Sequence, residues 1–445
     1  MQSPTLLRRG GQGERSYPQA LCRHFPFSQS NMEKKTGFSR YDIFVIAILT
    51  ILQFTLILDF MVLSPLGAML MPALKISTSQ FGMVVSAYAF SAGISGFLAA
   101  GFADKFDRKK LLLFFYFGFI GGTLFCGLAP DYPTLLMARI VTGIFGGVIG
   151  SISFAIITDL FRLEQRGRVM GFVQMAFASA QVLGLPIGLY FANLWDWHAP
   201  FIMIVLVSIV IAILIMIYLK PIDEHLKVKL NRNAFTHLWK TISKSRYLKT
   251  FIATTLLATG GFMMMPFGTA FGVNNLKLTF AQLPLLYMVT GAFSMLSGPL
   301  VGKLSDGWGK YKVFFVGSVL MIAIVLIYTN LGPTPLWMVM VLNVIMFVGI
   351  SSRMISSSAL ISAVPEASDR GAFMSINSSI QQISGGVAAY VAGLIVYQPT
   401  ATSPLENYDL LGYLVAVSTI VTIILIWFLD QYVSRKSAAE NAKAS

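Results

Sequence analysis

The sequence predicts an all-α membrane protein whose twelve transmembrane helices form two pseudo-symmetric six-helix bundles. Three observations predict it: a composition poor in charge, twelve long apolar runs, and a repeat that relates the two halves of the chain.

Of 445 residues, 56% are hydrophobic and 12% charged, against about 25% charged in soluble domains. Water offers no cover for so much apolar surface, whereas a bilayer does. The 38 glycines and 13% aromatics suit closely packed membrane helices. A net charge of +14 suggests a nucleic-acid partner. The basic residues, however, lie in short segments between apolar runs, not on a polar domain, and this excludes one. Cys22 and Cys126 are far apart and give neither a disulfide framework nor metal-ligand spacing. His24, His198, His225 and His237 fall in loops, tails or near interfaces. With no nucleotide-binding glycine loop and no Ser/His/Asp arrangement either, neither an enzyme nor a cofactor is expected.

A span needs about 20 mostly apolar residues. Such runs lie at 42–66, 80–103, 110–129, 133–156, 168–192 and 200–219, then at 248–272, 282–303, 311–331, 336–360, 372–396 and 409–431. They set an N-terminal tail at 1–41, a six-helix bundle at 42–219, a basic linker at 220–247, a second bundle at 248–431 and a C-terminal tail at 432–445. Residues 1–31 read as a disordered tail or a mis-annotated start, because at Met32 the text changes to Met-Glu-Lys-Lys and runs straight into the first span. No signal-peptide core precedes it. Of the 33 Lys and Arg, all but Lys75, Lys277, Arg139 and Arg353 fall in the tails and the alternate loops on one side. The positive-inside rule then places both termini in the cytoplasm, and the expected location is a bacterial inner membrane.

The repeat follows the second span of each bundle. Ala100-Gly-Phe-Ala-Asp104-Lys-Phe-Asp-Arg108-Lys-Lys110 aligns with Gly302-Lys-Leu-Ser-Asp306-Gly-Trp-Gly-Lys310-Tyr-Lys312, and Arg166-Gly167 aligns with Arg370-Gly371. Near-equal offsets indicate a duplicated six-helix unit, as transporter folds often show. These stretches resemble the loop signature of the major facilitator superfamily, Gly-x-Leu-Ala-Asp-Arg-x-Gly-Arg-Arg. Ala100 and Asp107 depart from it, while Gly302 and Gly309 fit. The resemblance covers residues 40 to 432.

Finer features resemble the twelve-span drug:proton antiporter branch. They are Leu58-Asp59-Phe60-Met61-Val62 with Pro65 in span 1, Arg139 with Gly143, Gly146 and Gly147 in span 4, and Gly171, Gly184, Pro186 and Gly188 in span 5. Leu185 interrupts the Gly-Pro pair of that branch, and His198 stands for Arg in Trp197-His198-Ala-Pro-Phe201.

Ionisable residues inside a bilayer are functional candidates by default. From helical rise, Asp59 lies about 25 Å from the inner face and Arg139 about 21 Å, so the two sit within roughly one turn in depth. The superfamily's spans 1 and 4 line a central cavity, so Asp59 and Arg139 are expected to pair on a shared wet pathway and to couple transport to protons. Asn343 occupies the repeat position of Arg139, and span 7 has no acid, so proton handling belongs to the N-terminal half. Arg353, placed about 5 Å from the inner face, is a cavity candidate that also has snorkelling open to it.

Asn343, Asn377 and Gln381 are candidates for polar cavity lining, and Asn377 with Gln381 and Ser384 shares one helical face. Met265 and Phe267 are candidate pocket residues in Met263-Met264-Met265-Pro266-Phe267, where lipid-facing filler is expected for at least two of the methionines. The resemblance makes Asp104 a latch facing the N-terminus of span 11 and pairs Arg108 with Asp159. Asp306 and Lys310 are the repeat counterparts of Asp104 and Arg108. The glycines 143, 146, 147 and 150 read as a packing stripe.

The expected function is a proton-coupled exporter of small amphipathic or hydrophobic compounds, acting as a monomer in the lipid bilayer. The alternatives are a transporter of a polar metabolite, such as a sugar or organic acid, and a non-transporting membrane sensor.

Overall fold

The computed structural model describes residues 38–223, 226, 234–366, 369–400 and 402–444. Cys22, His24, His225 and the expectations for residues 1–31 and Met32 fall outside them, as does the side chain of Asp104.

The first half comprises α1 (Arg40–Leu74), α2 (Thr78–Phe102), α3 (Arg108–Gly127), α4 (Tyr132–Leu160), α5 (Leu163–Ser179), α6 (Leu185–Leu194) and α7 (Ala199–Tyr218). A short helix, α8 (Ala234–Ile242), follows. The second half comprises α9 (Ser245–Phe262), α10 (Gly268–Asn274), α11 (Leu283–Trp308), α12 (Lys310–Thr329), α13 (Leu336–Ala363), α14 (Arg370–Ile395) and α15 (Tyr408–Ala444). Span 5 is α5 and α6 joined by a π-helical turn over Ala180–Gly184. Span 7 is α9 and α10 joined by a 3-10 turn over Met265–Phe267. Proline causes both interruptions, at Pro186 and Pro266, since its ring bars a regular i→i−4 bond.

The duplication shows in the helix bounds. Both ends of α12 lie 202 residues beyond those of α3, and α13 begins 204 residues beyond α4. The loop repeats solve one turn in two ways. Gly309 takes φ +105, which only glycine adopts without strain. Its counterpart Asp107 has φ −55 and instead caps α3, accepting from the Lys110 amide at 3.0 Å. The departure at Asp107 from the loop signature is thus a local change of capping. Asp131 caps α4 in the same way, accepting from the Thr134 amide at 3.0 Å, and hydrogen bonds from the Thr134 side chain and then its amide hold the Asp131 carboxyl below the usual range.

Among the described residues, eleven helical segments are long and apolar enough to cross a membrane. The twelfth, α14, has the length, at 26 residues, but its serines and amides make it too polar to count with them. It is sheltered because it packs along α2: Thr78 Oγ1 donates to the Val396 carbonyl at 2.6 Å, and further down Gly93 abuts Ser379. Two further seams join the bundles. Phe60 of α1 meets Phe262 of α9 with ring centroids 5.7 Å apart, and Ser64 donates to the Met265 carbonyl. Gly291 of α11 lies against the Gln181–Val182 backbone.

The linker is not all loop. Leu238 of α8 is buried in a cluster with Tyr247, Phe251, Phe314, Phe373 and Ile376, which anchors this segment to the second bundle.

Candidate functional site

Asp59 lies midway along α1 and Arg139 two turns into α4, and both are wholly buried. Arg139 Nη1 donates to Asp59 Oδ2 at 2.8 Å and reaches the Asp59 carbonyl oxygen at 3.4 Å. Thr123 of α3 donates to the other carboxylate oxygen, Oδ1, at 3.1 Å. The guanidinium carbon sits 4.6 Å from the centre of the Tyr88 ring on α2, a cation–π distance. Two donors, Nε and Nη2, have no partner among the described residues. A buried pair is tolerable because opposite charges cancel in low dielectric, provided the remaining lone pairs are bonded. The carboxylate meets that condition through Thr123, whereas the guanidinium retains spare donors.

The glycines of α4 set this geometry. A Cβ on Gly143 would meet the Tyr88 carbonyl oxygen at 2.5 Å, and one on Gly147 would meet Ala92 Cα at 2.6 Å. Only glycine lets α2 come close enough to lay Tyr88 beneath Arg139. Gly150, expected to share this role, has no neighbour within 4 Å of its Cβ position. Since Arg139 is on the face that carries Gly143, it points at α2 and α3. The pair therefore lies inside the first bundle and, in this conformation, does not open onto a wet pathway.

The sequence matches the Major Facilitator Superfamily over residues 49–338 and 276–444. The chain belongs to the major facilitator superfamily. It is a multi-pass membrane transporter, with the twelve-helix fold of two related bundles that the family shares. It is 28% identical over 265 residues to the "Uncharacterized MFS-type transporter YceJ" of Bacillus subtilis (strain 168), covering 59% of this chain and 67% of that protein. It is 30% identical over 155 residues to "Multidrug resistance protein 3" of the same organism, covering 35% of this chain and 30% of that protein. Among solved structures, the nucleoside transporter NupG (D323A mutant) superposes with a TM-score of 0.67 at 16% identity, over 87% of this chain and 99% of that one.

At the loop repeats the transporter is asymmetric. Arg108, nearly buried, bridges from Nε to Asp159 Oδ2 at 3.0 Å and donates from Nη1 to the Ala103 carbonyl at 3.0 Å. Its counterpart Lys310 has no such acid, because Ala363 stands at the repeat position of Asp159. Lys310 lies within electrostatic reach of Asp430 instead, and Asp306 is exposed. Arg108→Gln is expected to cost about 1.5–3 kcal/mol, the range for a bond to a charged group, and Lys310→Gln almost nothing. Thermal unfolding of the two variants in detergent checks this, and equal losses would contradict the asymmetry.

The cavity candidates divide. Asn377 accepts from Thr254 of α9 at 2.6 Å, and Ser384 donates to Thr255 at 3.2 Å; these bonds tie span 11 to span 7. Gln381, between them and half-buried, has no side-chain hydrogen bond among the described residues. Asn343 is buried and donates to the Val339 carbonyl at 2.9 Å. Phe267 is wholly buried against Phe81 of α2, centroids 5.8 Å apart, so it fills a seam between bundles. Met263 and Met264 are buried and Met265 is half-buried. The expected lipid-facing filler is absent here, because the helix breaks at this point and a regular helical face no longer applies.

Arg353 does not snorkel, being 4% exposed. Helical side chains lean toward the N-terminus of their helix, and on α13 that direction leads away from the nearer helix end. Its neighbours are Phe314 and Met321 of α12 and Gly260 of α9.

Sequence reasoning missed two features. Thr123 is one hydroxyl in an apolar run, with nothing in its spacing to mark it. Asp369, 2% exposed, pairs with Lys244 and accepts from Tyr247 Oη at 2.8 Å. Its position just before the repeated Arg370-Gly371 was the available signal.

Proposed function

We propose that the transporter is a proton-coupled exporter of small amphipathic or hydrophobic compounds, working by alternating access with Asp59 and Arg139 as its coupling pair. The observation that carries this reading is the buried Asp59–Arg139 bond, whose guanidinium keeps two unpartnered donors and which has no equivalent among the described residues of the second bundle.

A proton on Asp59 neutralises the carboxylate and leaves Arg139 as a lone buried charge. A guanidinium cannot release its own proton, so relief comes only from a new acceptor or from water. The protonated state therefore favours a conformation that opens the pair, and release of the proton favours reclosure. Tyr88 lies over Arg139 and stacks near Phe60, centroids 5.4 Å apart, and Phe60 in turn meets Phe262 of the second bundle. This ring chain is a mechanical link from the pair to the seam that must part. In the same reading Gln381 and Met265 meet the solute, Arg108–Asp159 and Asp104 brace the cytoplasmic side, and both termini lie in the cytoplasm. The partial match to a protein named for multidrug resistance supports the choice of solute class.

The test is dye efflux in proteoliposomes under an imposed pH gradient. Asp59→Asn, which keeps shape and hydrogen-bonding capacity, is expected to abolish gradient-driven accumulation while leaving the protein folded by thermal unfolding. Undiminished coupling in that variant refutes the role.

A further inference from the structure

In the second bundle, orphan polar atoms gather at one spot. Arg353 of α13 is 4% exposed, and its Nε and Nη2 have no partner. Thr419 of α15 and Ser318 of α12 are wholly buried with unpartnered hydroxyls. Ser318 shares a helical face with Phe314 and Met321, both of which lie against the Arg353 guanidinium. Gly260 of α9 is the floor: the place its absent Cβ would take is 3.7 Å from Arg353 Nη1, 3.8 Å from Thr419 Oγ1 and 3.9 Å from Arg353 Nη2. Donors from two helices thus converge on bare backbone of a third. No carboxylate pairs with Arg353 among the described residues.

A guanidinium stays charged in proteins, and a buried charge without a counter-charge is strongly unfavourable. The composition of the spot specifies what would restore balance. One positive charge calls for one negative charge. Two hydroxyl groups add donors, and the ring of Phe314 and the thioether of Met321 offer nothing to a second charge. We propose that Arg353, Thr419 and Gly260 form a binding site for a single monovalent anionic group, either a halide or one carboxylate. Ser318 is placed to add a further donor. The site lies in the opposite bundle from Asp59 and Arg139 and does not require their chemistry.

The test is thermal unfolding of the purified transporter in detergent, titrated with sodium chloride or sodium benzoate. Sodium sulfate at matched ionic strength is the divalent comparator. The expected result is a saturable rise in Tm with at least one monovalent anion and none with sulfate. Arg353→Gln loses the saturable rise. Thr419→Val weakens the apparent affinity about fivefold to tenfold, the worth of one hydrogen bond. Gly260→Ala keeps its fold, since the added methyl meets its neighbours at ordinary contact distance, but it fills the spot and removes the response even with Arg353 intact. Asp59→Asn keeps the wild-type response, which separates this site from proton coupling. A response to chloride alone identifies an inorganic ion, and a response to benzoate with inhibition of flux identifies the carboxylate of an organic solute. A wild-type Tm that never saturates with either anion overturns the proposal, as does a full response in both Arg353→Gln and Gly260→Ala.

Discussion

Asp59→Leu is expected to cost about 3–5 kcal/mol of stability, the range for removing one partner of a buried ion pair. Arg139→Met is expected to cost less, and the double variant Asp59→Leu/Arg139→Met to recover most of the loss. The ordering follows from what each single variant strands. Without Asp59, the guanidinium keeps a charge it cannot discharge, over the Tyr88 ring and with no anion in reach. Without Arg139, the carboxyl can take up a proton and stay bonded to Thr123, leaving a neutral group in a cavity. Without both, no charge is stranded and the volume is close, with only the Thr123 hydroxyl losing its acceptor, a replacement that buried pairs often tolerate. Thermal unfolding of the four proteins in one detergent measures the cycle. Arg139→Met as damaging as Asp59→Leu would show that packing, not charge, sets the cost. A double variant no better than the worse single would show the same. The double variant is expected to be inert in gradient-driven efflux, so stability and transport part company in one protein.

Gly147→Ala is expected to lower stability by about 1–3 kcal/mol, as overpacking does in a well-filled interior, whereas Gly150→Ala is neutral or stabilising. A methyl at 147 would sit 2.6 Å from Ala92 Cα, and that neighbour is backbone, so α2 itself must retreat. A methyl at 150 meets nothing within 4 Å, and alanine is the better helix former by about 1 kcal/mol. The retreat of α2 also lifts Tyr88 from Arg139, so Gly147→Ala is expected to impair transport beyond its effect on folding. Unfolding temperatures and initial efflux rates of the two variants, compared side by side, decide it. A Gly147→Ala protein as stable as Gly150→Ala would contradict the close approach of the two helices.

The residues differ in how far their sequence context specified them. Apolar length located the spans, because the bilayer imposes it on any helix that crosses it. Only α14 tested the length rule, since its serines and amides are sheltered by α2 and α9 and not by lipid. The two loop repeats disclosed the duplication. Depth arithmetic brought Asp59 level with Arg139 because helical rise is a property of one chain segment and needs no neighbour. Depth, however, carries no azimuth. Whether the pair faced an opening or a closed interior depended on the side of α4 that α2 occupied, and the fit of Gly143 and Gly147 against Tyr88 and Ala92 decided that. Arg353 shows the same division. The sequence placed its Cα near the inner end of a span, but the lean of its side chain and the three helices around it carried the guanidinium into the bundle. A single chain segment sets how deep a residue lies, while the direction it faces and its partners come from contacts between segments that only folding brings together.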